Sequence, residues 1–272
     1  MIDMHIHTTY SDGIFSPSQI ISKAEEKGLE TISFCDHNTV KAYFDLPKTD
    51  KLEIINGLEF YAYKKDISGL FHLLCYDYEM TNQLLDVMAM FAKKREENIL
   101  CKLSAVKKEF NLYIDLDELD KTWLSDNSIR KYLNLKYEKE YVDVIMKYIK
   151  QLHLKIDKKL PIEELLSIIK EAKGIPVLAH PQTIITDDMD KLISELKQLG
   201  LMGLEVYHSS HTKETIETLK KLVNKYDLLY SAGSDYHGFL KNDVNGLPIE
   251  IGNTQAKEDD IPSVLKYIRR RK

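Results

Sequence analysis

"GIPVLAHPQTIITDDMDKLISELKQLGLMGLEVYH" (174–208) decides the fold class of this chain. It reads as a short apolar strand, "IPVLAH", then an amphipathic helix, "MDKLISELKQLG", then a second apolar strand, "LMGLEVYH". Apolar strands alternating with amphipathic helices belong to a mostly parallel sheet covered by helices. The rhythm continues on both sides, with helix "PIEELLSIIKEAKG" (161–174) before it and helix "TKETIETLKKLVNKYD" (212–227) and strand "LLYSAGSD" (228–235) after it.

Four further strands come earlier: "IDMHIH" (2–7), "ETISFCDH" (30–37), "KLEIINGLEF" (51–60) continued by "YAYKK", and "GLFHLLCYDY" (69–78). Ser16-Pro17 supplies a cap and a first-turn proline for the helix "SQIISKAEEKGL" (18–29), which Gly28 ends. Seven such strands predict an α/β barrel. From residue 81 the apolar period turns helical and stays so to about residue 155. Residues 80–155 are therefore expected to be a helical insertion over the end of the barrel where loops build active sites, with the barrel itself in 1–79 and 156–272. Met88, Met90 and Trp123 read as core of that insertion.

With 43 % hydrophobic and 30 % charged residues and a net charge of −5, the composition is that of a soluble globular protein. The negative balance argues against a bulk electrostatic hold on long nucleic acid or an anionic membrane. Arg269-Arg270-Arg271-Lys272 reads as the solvated end of a last helix. No apolar run approaches a bilayer span, and Asp3, His5 and His7 break up any leader-like start, so a cytoplasmic protein is expected. The cysteines, Cys35, Cys75 and Cys101, are odd in number and far apart, which fits a reducing compartment.

Eight of the nine histidines, His5, His7, His37, His72, His180, His208, His211 and His237, fall at or just beyond the ends of the expected strands; His153 stands apart. In a parallel barrel those ends meet on one face. Asp12, Asp36, Glu59 and Asp235 recur beside them. Imidazole and carboxylate without thiolate favour Zn²⁺, Mn²⁺ or Fe²⁺ over a sulfur-rich structural site. His5 and His7, two apart on a strand, point to one side and can close on one ion. Asp36 has the alternative of capping a turn.

"HIHTTYSDG" (5–13), "CDHNT" (35–39), "GLEF" (57–60), "LAHP" (178–181), "GLEVYHSSH" (203–211) and "GSDYHG" (233–238), in this order, resemble the motifs of the PHP (polymerase and histidinol phosphatase) family. The resemblance implies a metal-dependent phosphoesterase on a distorted seven-stranded (β/α) barrel. It is most similar to the branch that acts on nucleoside 3′,5′-bisphosphates, with a helical segment between the fourth and fifth strands. It further implies three divalent ions (Mn, Fe or Zn): a first held by His5, His7, Glu59 and Asp235, a second by Glu59, His72 and His180, and a third by Asp12, His37 and His237. His211 resembles the family histidine that donates to phosphate, and His208, standing where relatives carry a Tyr-Pro element, competes for that role. Arg130, in "DNSIRKYL" (126–133), resembles an arginine that reaches a phosphate, its planar fork suiting bidentate contact. The expected partner is a small phosphorylated substrate, a nucleotide in the first reading. Histidinol-phosphate phosphatase and a non-catalytic metal-binding regulatory module are the alternatives.

Overall fold

A computed structural model describes residues 1–44, 46–152, 159–238, 242–256 and 260–271; His153 and Lys272 lie outside the described residues. The main sheet runs through seven strands, β1 (Ile2–Ile6), β2 (Thr31–Phe34), β3 (Glu53–Tyr63), β4 (Phe71–Tyr76), β5 (Ile175–Leu178), β6 (Gly203–His208) and β7 (Leu229–Gly233), hydrogen-bonded in sequence order, with the two-residue strand Leu160–Pro161 pairing to β3 off that path. Its two edges meet. Ile6 bridges Tyr236, the Asp235 amide donates to the His5 carbonyl at 2.9 Å, and the His7 amide donates to the Tyr236 carbonyl at 2.9 Å. The sheet thus closes into the expected mixed α/β barrel.

One strand departs from the parallel expectation. β4 runs antiparallel to both β3 and β5. Only residues 64–70 separate β3 from β4, too few for a crossover, so the chain must turn back as a hairpin. His72 accordingly sits near the start of β4, not beyond its end, and the reversal brings it to the face where the other strands finish. β3 runs past Glu59 to Tyr63, as the continuation through "YAYKK" predicts. Glu59 lies within it, paired across to Leu74, because the segment after Glu59 continues the strand to hold β4.

The helices are α1 (Pro17–Glu26), α2 (Asn82–Phe110), α3 (Asp126–Asn134), α4 (Lys139–Gln151), α5 (Ile162–Glu171), α6 (Met189–Gln198), α7 (Lys213–Lys225) and α8 (Ser263–Arg271). α1 begins as its sequence requires. The Gln19 amide donates to Ser16 Oγ at 3.3 Å while the Ser16 amide donates to Gln19 Oε1 at 2.9 Å, satisfying two orphan donors of the first turn. Two compact units result: Met1–Leu85 with Lys159–Lys272, and Asp86–Lys158. The first contains the barrel, whose apolar filling includes Met4, Cys35, Ile55, Leu74, Tyr76 and Val177. The second has its own core, including Leu103, Ile129, Leu133, Ile145 and Ile149. Met88, Met90 and Trp123 are only half-buried, not core; the Arg95 guanidinium lies 3.6 Å from the Trp123 ring centroid and covers it. Among the described residues no helix is long and apolar enough to cross a membrane.

Candidate metal centre

Strand alternation turns His5 and His7 to the same side of β1, and both are wholly buried. Their Nε2 atoms lie 3.2 Å apart. Around that pair stand Asp235 Oδ1, at 3.5 Å from His5 and 3.1 Å from His7, and Glu59 Oε2, at 3.5 and 3.3 Å. The other oxygen of Glu59 faces a second pair: Oε1 is 3.0 Å from His72 Nδ1 and 3.1 Å from His180 Nε2, which are 3.2 Å from each other. Asp12 gathers a third set. Its carboxylate lies 3.3 Å from His237 Nε2, 3.5 Å from His7 Nδ1 and 3.7 Å from His37 Nε2.

The outer ring nitrogens show how these imidazoles are held. His5 Nδ1 meets Glu205 Oε1 at 2.9 Å, and His237 Nδ1 donates to the Asp235 carbonyl at 2.7 Å. His7 Nδ1 meets Ser11 Oγ at 3.2 Å, whose own proton goes to Asp36 Oδ1 at 2.6 Å; His180 Nδ1 meets Thr183 Oγ1 at 3.1 Å, whose proton goes to a carbonyl. Each of these four rings therefore carries one proton on the outside and leaves its inward Nε2 available to an ion. Fixing the tautomer from outside is how metal-ligating histidines are oriented. Buried Asp12 Oδ1, His37 Nδ1 and Glu59 Oε2 have no hydrogen-bond partner among the described residues. Lone pairs collected at shared points, with no donor to meet them, fit divalent cations bound by nitrogen and oxygen.

Electrostatics agrees with that reading. Burial by itself opposes ionisation of Glu59 and Asp235, but the neighbouring imidazoles outweigh it and hold both carboxyls well below their usual range. Burial likewise opposes a charge on His7, yet hydrogen bonds to Asp235 and Glu59 raise it to about 10. The metal-free centre thus keeps a second proton on His7 to balance the carboxylates. His180, at φ 26°, and Asp235, at φ 56°, take the left-handed region that non-glycine residues avoid, so both side chains enter the cluster from strained backbone.

The barrel therefore brings together nine side chains singled out from sequence: His5, His7, Asp12, His37, Glu59, His72, His180, Asp235 and His237. His208, at the end of β6, joins them, its Nε2 3.9 Å from Asp235 Oδ2. A cavity of about 560 Å³ opens on the cluster, lined among others by Tyr61, Leu70, Thr183, His208 and Asn242. His211 has both ring nitrogens engaged, Nδ1 donating to the Val206 carbonyl at 2.8 Å and Nε2 against the Gln182 amide. Arg130 belongs to the helical unit, where its Nη1 donates to Asp143 at 2.9 Å.

Asp36 is neither placed in a ligand set nor, by the bonds it makes, the cap of the following turn. It accepts from the Thr8 amide at 2.8 Å and the Thr8 hydroxyl at 2.7 Å as well as from Ser11, and so shapes the loop before it. Glu205 is the residue the sequence reading passed over. Oε1 holds His5 and Oε2 accepts from the His180 amide at 2.8 Å, so one carboxylate orients two site residues. A carboxylate inside the apolar strand "GLEVYH" was the available signal, since such a group is buried only when its oxygens are satisfied.

Comparison with known proteins follows the same lines. The chain is similar to the phosphoribosyl 1,2-cyclic phosphate 1,2-diphosphodiesterase of Eggerthella lenta, 25 % identical over 249 residues, covering 87 % of this chain and 94 % of that protein. It is also similar to the 5′-3′ exoribonuclease of Haemophilus influenzae, 23 % identical over 248 residues and covering 86 % and 89 % respectively. Its fold superposes on a Bifidobacterium adolescentis protein assigned as a metal-dependent phosphoesterase, with a TM-score of 0.76 at 23 % identity, over 99 % of this chain and 96 % of that one. Residues 3–172 match the PHP domain, well over half of the sequence. Three of the six motifs, those at 5–13, 35–39 and 57–60, lie within that match, and the chain belongs to the PHP domain family and is a metal-dependent phosphoesterase.

Proposed function

We propose that this protein uses three divalent ions, Mn²⁺, Fe²⁺ or Zn²⁺, to hydrolyse a phosphoester on a small ribose phosphate, with a nucleoside 3′,5′-bisphosphate as the first candidate. The observation that carries the reading is Glu59: it is buried, and its two oxygens face two separate histidine pairs, which is the placement of a bridging ligand. His5, His7, Glu59 and Asp235 form the first set, Glu59, His72 and His180 the second, and Asp12, His37 and His237 the third. Bound there, divalent ions lower the pKa of water towards neutrality and offset the charge on phosphoryl oxygens during in-line displacement. The chain's own contribution is to orient the imidazoles from outside and to hold the phosphate oxygens with cationic or hydrogen-bond-donating groups. The sequence reading assigns Arg130 to a second phosphate, so R130A is expected to raise KM for a bisphosphate and leave a monophosphate unchanged.

A second reading is a cyclic phosphodiester of ribose. It is supported by the name of the Eggerthella lenta relative, whose length this chain matches almost completely. Product release by the Mn²⁺-reconstituted protein, inorganic phosphate from adenosine 3′,5′-bisphosphate and from histidinol phosphate and the ring-opened monoester from a ribose cyclic phosphate, side by side, separates these. Preference for the bisphosphate is expected. Preference for the cyclic ester selects the second reading, preference for histidinol phosphate rejects both, and no release from a metal-loaded protein indicates a binding module.

A further inference from the structure

His208 is built the opposite way round from its neighbours. Its outer nitrogen, Nδ1, accepts a hydrogen bond from the Ser210 backbone amide at 3.1 Å and lies 2.8 Å from Ser210 Oγ. A backbone N–H can only donate, so Nδ1 carries a lone pair and the ring proton sits on Nε2. His5, His7, His180 and His237 fix a proton on the outer Nδ1 and leave Nε2 to the cluster; His208 fixes its proton on the inner Nε2. That N–H is buried, has no hydrogen-bond partner among the described residues, and belongs to a side chain lining the cavity beside Asp235.

His211 is placed differently. Nδ1 donates to the Val206 carbonyl, and Nε2 is taken by the Gln182 amide, whose other end bonds Ser210. Whichever way that amide is turned, His211 keeps no free nitrogen and His208 Nδ1 still faces a donor. The turn carrying these residues is pinned by Gln255, whose Nε2 reaches the carbonyls of His208 at 2.9 Å, Ser209 at 3.1 Å and His211 at 2.8 Å. Glu205 offers nothing to make His208 a metal ligand, since both its oxygens are already spent on His5 and His180.

We infer that His208 is a catalytic residue that donates Nε2–H to a non-bridging phosphoryl oxygen of the substrate, with Ser210 fixing its tautomer and His211 buttressing the turn. The inference rests on the phosphoesterase reading of the site. It takes no proton from His208 and makes no bond to it, so the reaction balances without it; its contribution is to stabilise charge developing on the phosphoryl oxygen.

The test compares full-length wild type, His208→Ala and His208→Gln, each reconstituted with Mn²⁺, on p-nitrophenyl phosphate and adenosine 3′,5′-bisphosphate. The alanine variant is expected to lose about 100-fold in kcat on both esters with metal content unchanged, and glutamine, which restores an N–H, to recover part of the loss. An ion lost with His208 makes it a ligand and overturns the inference, as does an unchanged kcat. A loss confined to the nucleotide, whose leaving group needs protonation more, makes His208 an acid instead. Should the variants fold poorly, ¹⁵N-histidine NMR of the Zn²⁺-loaded wild type reads the tautomer directly: a protonated Nε2 on His208 is expected, and a metal-bound Nε2 overturns the inference with the phosphoesterase reading intact. No turnover of either ester by wild type overturns that reading, and with it the substrate contact.

Discussion

Glu205 touches none of the three ligand sets as a ligand, yet it sets the direction of His5 and, through the His180 amide, the strained turn that delivers His180. Glu205→Gln keeps the size of the side chain and can place an amide N–H against His5 Nδ1, which would drive the His5 proton to Nε2. Metal affinity is expected to fall about 10- to 100-fold, measurable by competition with a chromogenic chelator. Asp235→Ala acts more directly. It leaves His5 and His7 facing each other at 3.2 Å without the carboxylate between them and should lose bound metal and turnover together. Full metal content in that variant would remove Asp235 from the first ligand set.

The seam between β1 and β7 is where the barrel closes and where two ligand-bearing segments lie side by side. Gly233 makes that closeness possible. A Cβ there would stand 2.2 Å from His5 Cβ and 2.7 Å from Glu205 Oε1, and neither of these buried groups has room to withdraw. Gly233→Ala is expected to cost about 1–3 kcal/mol, read as a lower urea midpoint with an unchanged slope, and to weaken metal binding because His5 must move. The turn after β6 is held by the three carbonyl contacts of Gln255. Gln255→Ala should lower kcat while sparing metal content, since the ligands belong to other turns.

For the whole molecule, the cluster ties seven strand ends together through opposite charges, so stability depends on pH and on metal. In the metal-free protein burial disfavours the Glu59 and Asp235 carboxylates, but the imidazole charges prevail. Their folded pKa values lie below the ordinary 4.5 and 3.8, and their contribution is present above those values and lost as pH falls. His7 has the opposite sign: raised from 6.5 to about 10, it contributes fully below pH 6.5 and loses that contribution as pH rises through 10. Metal-free protein should therefore be most resistant to urea between about pH 4.5 and 6.5 and decline above it. Added Mn²⁺ should reverse the alkaline decline, because bound ions replace the protons and stabilise only the folded state. A flat profile from pH 6.5 to 9 without metal would show that His7 is not held protonated. Chelator treatment at pH 8 should lower Tm.

Hydrophobic periodicity sufficed for the strand and helix order, and the spacing of His and acidic residues at strand ends for nine members of the cluster, because a parallel barrel carries every such end to one face whatever the intervening sequence. The capping pattern at Ser16 is local in the same sense. What depended on contacts between distant segments was not legible: the reversal of β4 that carries His72 to the site, the outward bonds of Glu205, and the difference between His208 and His211. Within "YHSSH" (207–211) the two histidines are equivalent as chemistry. They are separated only by which protein groups their outer nitrogens meet, and a ring's tautomer is decided by those partners, which the folded barrel alone supplies.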